Sequence, residues 1–202
     1  MRTSTASYLG NAAAYLISLL FGLYILAVML RFLLQLVRAD FYNPVSQFLI
    51  TVTNPCLRYL RRWIPGFLGI DWPSIILLVI LQGAEICLIA LVSIGGFPAA
   101  PGVPFLIIAR LVQMCAWIYL FVIILQVILS WINPGAYSPV TVLMYQLTDP
   151  LLRPLRRMLP PTGGLDWSPL IAIVLLNLVL MLVVTPLQDI GNRLAGFPLR
   201  LM

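Results

Sequence analysis

The chain has 202 residues, 62% of them hydrophobic and 9% charged, with a net charge of +6 and no histidine. Ordinary globular domains are about 45–50% apolar and about 25% charged, so a water-soluble fold of this length would have too little polar surface to cover itself. All twelve basic residues are arginine. Without lysine or histidine there is no Schiff base, P-loop lysine or Ser-His or Cys-His nucleophile, which leaves catalysis only carboxylates, hydroxyls and thiols.

In chain order, apolar segments fall at about 12–37, 74–94, 104–131 and 169–188. A helix rises about 1.5 Å per residue, so each segment is long enough to cross a hydrocarbon core of roughly 30 Å. Four transmembrane helices are predicted. The first follows Arg2, but it exceeds the roughly 7–15 residues of a signal-peptide core and precedes no small-x-small cleavage site, so it is expected to stay in the mature chain.

Between the first two segments, and again between the last two, lies a polar connector that the chain carries twice. TNPCLRYLRRWIPGFLGIDW from Thr53 to Trp72 returns 95 residues later as TDPLLRPLRRMLPPTGGLDW from Thr148 to Trp167. From Tyr42 to Trp72, 14 of 31 positions are identical to the residue 95 further on. Such internal similarity marks a duplicated unit, here a pair of spans with its connector. Because the unit holds an even number of spans, both copies must point the same way, related by an axis along the membrane normal.

The connectors carry Arg38, Arg58, Arg61, Arg62, Arg153, Arg156 and Arg157, the outer segments only Arg2, Arg193 and Arg200, and the middle loop Gly95–Gly102 no charge. The positive-inside rule then puts both connectors in the cytoplasm and both termini on the outer, periplasmic face. The predicted fold is an all-α membrane protein, four transmembrane helices forming two tandem parallel-repeat hairpins, each with a cytoplasmic amphipathic interfacial connector. The first unit spans 1–101 with connector 38–73, and the second 102–202 with connector 132–168.

Within each connector, Asn43-Pro44 and Ser138-Pro139, then Asn54-Pro55 and Asp149-Pro150, read as an N-cap followed by a first-turn proline. Two short helices end to end are expected in each. On the second helix Arg58, Arg61 and Arg62 fall within about a 100° sector opposite Leu57, Tyr59, Leu60, Trp63 and Ile64. Arg153, Arg156 and Arg157 repeat this against Leu152, Leu155, Met158 and Leu159. Such a helix lies in the interface with arginines toward phosphate. Pro154 is expected to remove one hydrogen bond from the second copy. A turn at Pro65-Gly66 or Pro160-Pro161, with Gly69 or Gly163-Gly164, would return the chain to the bilayer, where Asp71 and Asp166 would accept from the first free amides of the next span.

The string TDPLLRPLRRMLPPTGGLDWSP, with its more diverged first copy, resembles the signature of the YggT (YlmG) family of bacterial and plastid membrane proteins. The resemblance runs from about Tyr15 to Asp189, and the first copy departs from it at Cys56, Tyr59 and Pro65-Gly66. It implies a multi-pass protein of the bacterial inner membrane without an established enzymatic activity. Members have been associated with osmotic or ion homeostasis, with cell division and nucleoid distribution, and with assembly of membrane cytochrome complexes.

The residues themselves offer two sets of candidates. The arginine triads suit anionic lipid headgroups or a partner complex, each arginine contributing about 1 kcal/mol near a charged surface, and otherwise serve only to fix topology. Their placement on membrane-parallel helices does not suit nucleic acid. Within the spans, Arg31, Gln82, Glu85, Arg110, Gln126 and Asn177 stand out, with Gln35 and Gln113, because polar and ionisable groups at depth are costly unless paired or functional. Gln82 and Asn177 are 95 apart and would face each other across the repeat axis. Glu85, with leucine at the equivalent position 180, is expected to pair with Arg110 first and Arg31 second, on depth. Cys56, Cys87 and Cys115 are odd in number and lack CxxC spacing, which argues against a disulfide framework or metal site. The reading is a membrane scaffold or organising factor, not an enzyme, with no cofactor or metal and with lipids, a membrane complex or its own copies as partners. The alternative is a small ion or osmolyte transport protein working through the buried polar residues.

Overall fold

A computed structural model of the chain describes residues 2–64, 71–132, 138–158 and 166–196. The turns anticipated at Pro65-Gly66, Gly69, Pro160-Pro161 and Gly163-Gly164 lie outside the described residues, as do Leu159 and Arg200. Among the described residues the chain is helical: α1 (Arg2–Leu36), α2 (Pro44–Trp63), α3 (Trp72–Ile94), α4 (Val103–Ile132), α5 (Pro139–Met158), α6 (Ser168–Val179) and α7 (Thr185–Ala195). A π-helical stretch, Leu180–Val184, joins α6 to α7, so that Ser168–Ala195 forms one long apolar rod.

Four helices are long and apolar enough to cross a membrane: Tyr8–Leu36, Trp72–Ser93, Val103–Ile132 and Ser168–Ala195. The last extends past the expected end at 188, because Gln188, Asp189 and Asn192 continue the helix although they break the apolar run. The π stretch lies just ahead of Pro186. A proline ring clashes with the carbonyl four residues back, and a widened turn moves that carbonyl aside. There the amide of Thr185 reaches back five residues to the Leu180 carbonyl.

Each connector forms one helix instead of the expected two. Pro55 sits inside α2, and Pro150 and Pro154 inside α5. Asn54 and Asp149 therefore cap nothing. A proline costs the bond from its own missing amide and strains the turn before it, but neighbouring bonds hold the rest. At Pro55 the residue whose carbonyl loses its partner is Thr51, which is exposed. The true starts are one turn-set earlier: the amide of Val45 donates to Asn43 Oδ1 at 3.0 Å, and that of Thr141 to Ser138 Oγ at 3.2 Å.

α1 packs along α3, and α2 folds back on both; α4 touches α3, α5, α6 and α7. One apolar core joins the halves, with Ile25, Val28, Leu57 and Leu77 from the first and Ile118, Val122, Leu143 and Leu147 from the second. Positions 95 apart serve alike: Leu57 and Leu152, Val28 and Ile123, Leu77 and Ala172 are all buried. At the end where α3 gives way to α4, backbones nearly touch. A Cβ on Gly102 would lie 2.3 Å from the Ala195 nitrogen and 2.5 Å from the Gly191 carbonyl, so only glycine fits. Small residues let helices approach this closely inside a bilayer. The Ala99 amide fastens the same corner by donating to the Ala195 carbonyl at 3.1 Å.

Candidate functional site

Three structural groups carry the polar chemistry. The first ties each connector to the span that follows it. Arg61 Nη2 donates to Asp71 Oδ2 at 2.8 Å, and Arg156 Nε donates to Asp166 Oδ2 at 2.8 Å. The middle arginine of each triad is thus held by the aspartate ten residues on. Asp71 does not cap α3 with its side chain, contrary to expectation. Its carboxylate takes Arg61 and the Ser74 hydroxyl, the latter at 2.7 Å, while its backbone carbonyl accepts from the amide of Ser74. Asp166 Oδ1 accepts from the amide of Ser168 at 3.0 Å. Partial burial pushes the Asp166 carboxyl up, but hydrogen bonds from Ser168 and the bond and charge of Arg156 outweigh it and hold the group below its ordinary range.

With Arg61 and Arg156 held, the flanking arginines point away from the fold. Arg58, Arg62, Arg153 and Arg157 are exposed. Arg153 bonds Asp149 one turn back at 2.7 Å. Among the described residues, Arg58, Arg62 and Arg157 have no carboxylate partner.

The second group ties each connector to the span before it. Arg31 Nη1 donates to the buried Thr53 Oγ1 at 2.6 Å and also reaches Asn54 Oδ1 at 3.3 Å. Gln126 Nε2 donates to the buried Thr148 Oγ1 at 2.8 Å. Arg31 and Gln126 are 95 apart, as are Thr53 and Thr148. The threonine stays and the donor changes from cation to amide. Arg31 is therefore spent on its own connector and is no partner for Glu85. The connector starts also meet, with Asn43 Nδ2 donating to the Pro139 carbonyl at 2.6 Å.

The third group lies within the spans. Glu85 is buried; Gln82 Nε2 donates to its Oε2 at 2.7 Å, and Arg110 Nη1 is 3.6 Å from its Oε1. These residues line a cavity of about 800 Å³ between α1, α3, α4 and α7, together with Ser18, Gln113, Gln188 and Asn192. Gln188 Nε2 donates to Gln113 Oε1 at 2.8 Å. The predicted meeting of Gln82 and Asn177 does not occur. Asn177 lies on an exposed face of α6 and donates to the Ile173 carbonyl of its own helix at 2.8 Å. Ser18, Gln188 and Asn192 were not picked out from sequence. Gln188 stood at the very end of the last apolar run and Asn192 beyond it, where their spacing of four on a helix was the available signal.

These features define an all-helical chain with four apolar helices long enough to cross a membrane, a polar cavity among them and two arginine-bearing connector helices. The pattern of the family described as CCB3/YggT matches residues 10–92 and again residues 105–187, and the chain belongs to that family. It is 43% identical to protein PA0392 of Pseudomonas aeruginosa over 199 residues, covering 96% of both chains. It is 38% identical to protein YggT of Escherichia coli K12 over 187 residues, 91% of this chain and 95% of that one. A shorter match, 33% over 67 residues, covers 33% of this chain and 74% of the protein ycf19 of Guillardia theta. No solved structure matches significantly.

Proposed function

We propose that the chain is a non-catalytic organising protein of the bacterial inner membrane, built as two parallel hairpin repeats. Its connector helices α2 and α5 lie in the cytoplasmic interface and hold anionic lipid or an acidic partner complex. The observation that carries this reading is the division of labour in each triad. Asp71 and Asp166 immobilise Arg61 and Arg156, which presents Arg58, Arg62, Arg153 and Arg157 from a fixed helix on the opposite side from the buried Leu57 and Leu152. The excess of arginines in the connectors supports the cytoplasmic assignment, with both termini outside.

The test replaces Arg58, Arg62, Arg153 and Arg157 with glutamine in the full-length protein and measures retention of phosphatidylglycerol by native mass spectrometry. At about 1 kcal/mol per arginine near an anionic surface, retention should fall well over tenfold. Unchanged retention, together with no copurifying complex lost from native membranes, overturns the reading. The buried Glu85–Arg110 pair favours a second reading, transport of an ion or osmolyte. It requires that Glu85→Gln abolish flux in proteoliposomes while stability is kept.

A further inference from the structure

The cavity around Glu85 has a built polar end and an open apolar side. Its polar groups cluster toward the end of the bundle where α3 stops and α4 starts: Arg110 is seven residues from Val103, and Glu85 nine from Ile94, about 10 Å and about 14 Å in at helical rise. Away from that end the lining turns apolar at Leu26, Ile118 and Phe121. α1 and α4 scarcely touch, and Trp117 and Phe121, which line the cavity from α4, are 57% and 64% exposed. The cavity therefore opens sideways between α1 and α4, onto the surface that faces lipid if these helices cross a membrane.

Its polar groups are incompletely matched by the protein. Arg110 carries five N–H donors, yet among the described residues its single partner is the Glu85 carboxylate at 3.6 Å, beyond hydrogen-bond length. A guanidinium lining a cavity with donors to spare suits an occupant that supplies anionic acceptors, and the Glu85 carboxylate beside it suits one that also carries N–H donors and positive charge. The lining carries one carboxylate and one guanidinium, and so no net charge. A volume of about 800 Å³ lies within the usual range of ligand sites.

We propose that this cavity binds one phospholipid with a zwitterionic ammonium–phosphate headgroup, its phosphate on Arg110, its ammonium on Glu85, and its acyl chains leaving between α1 and α4 past Trp117 and Phe121. A primary ammonium donates N–H hydrogen bonds to the Glu85 carboxylate, which a quaternary choline cannot. An anionic headgroup without an ammonium meets Glu85 with like charge. The site is separate from the arginine faces of α2 and α5 and does not depend on their role.

The test is native mass spectrometry of the purified full-length protein, titrated with phosphatidylethanolamine, phosphatidylcholine and phosphatidylglycerol of the same acyl composition. Lipid in the cavity is read as the adduct lost in Arg110→Gln, since lipid held on the connector arginines is indifferent to that change. The expected result is a phosphatidylethanolamine adduct that falls roughly tenfold or more in Arg110→Gln, as for loss of a charge-assisted hydrogen bond. It should fall likewise in Glu85→Gln, a near-isosteric change that removes the negative charge under the ammonium and serves if Arg110→Gln does not fold. The proposal is overturned if the sensitive adduct is phosphatidylcholine or phosphatidylglycerol, or if neither variant alters phosphatidylethanolamine. It is also overturned if glycerophosphoethanolamine, the headgroup without tails, competes as strongly as the lipid, which would make the occupant a soluble solute.

Discussion

Arg61 and Asp71 meet at 2.8 Å across the junction of α2 and α3, and Asp71 is only 4% exposed at its side chain. The repeat-equivalent pair, Arg156 and Asp166, has the same length but lies open, with both side chains 44% exposed. Asp71 also accepts from the fully buried Ser74 hydroxyl, so weakening its carboxylate disturbs a bond that water cannot replace, whereas an exposed pair loses little because water replaces it. Asp71→Asn should therefore cost about 1–3 kcal/mol, and Asp166→Asn under about 1 kcal/mol. Thermal unfolding in detergent checks the order; equal losses would contradict it.

The lowered pKa of Asp166 gives a pH signature. A carboxyl whose folded value lies below its unfolded one contributes stability above the unfolded value, about 3.9 for aspartate, and loses it as pH falls through the folded value. The stability difference between the native chain and Asp166→Asn should be constant from neutral pH to about 5 and shrink below about 4. A difference growing on acidification would reverse the sign.

Glu85 and Arg110 should be coupled. Glu85→Gln and Arg110→Gln each lower the melting temperature in detergent, and the double variant should cost less than the sum, by about 0.5–3 kcal/mol. Strict additivity would mean that the 3.6 Å approach carries no energy.

Close packing at Gly102 sets a steric prediction. Gly102→Ala drives a methyl into the backbone of Ala195 and should destabilise by about 1–3 kcal/mol or more. Gly22→Ala, in mid-helix with nothing within 4 Å of the added carbon, should be neutral or stabilise by about 0.5–1 kcal/mol. The pair is compared in one thermal-shift experiment.

Arg38 adopts a φ of 54°, with the amide of Ala39 donating to the Leu34 carbonyl at 2.9 Å, the helix-ending geometry that favours glycine. Arg38→Gly should raise stability by about 0.5–1 kcal/mol, the left-handed strain relieved less the extra freedom of the unfolded chain. A lower melting temperature would mean that contacts of the Arg38 side chain outweigh the relieved strain.

The four apolar helices were legible because length and hydropathy alone decide whether a segment is long enough to cross a bilayer. Helix interruptions were less so. Asn54-Pro55 has the local grammar of a helix start, but Thr53 is locked to Arg31 and Leu57 is buried, and those tertiary contacts carry the helix through the proline. Depth along the chain ranked Arg110 ahead of Arg31 as partner for Glu85, and the structure places Arg110 there. Depth says nothing of azimuth, however, so Asn177 was placed beside Gln82 when its helix turns it outward. Gln188 and Asn192 were passed over because hydropathy ends a span at its first polar residues.

The wide turn at Leu180–Val184 decides which way those residues look. At about 100° per residue, Asn177 and Gln188 would lie within about 20° of each other on an uninterrupted α-helix. One extra residue in a turn rephases everything after it by about 100°. Asn177 is thereby left on the outer surface while Gln188 and Asn192 swing into the cavity. The last span behaves like two dials on one axle set a fraction of a turn apart: straightening the turn to regular α-helix with every residue kept would realign them and turn the cavity's amides out into the lipid, whereas deleting one residue between 180 and 184 would remove the wide turn and leave the offset in place.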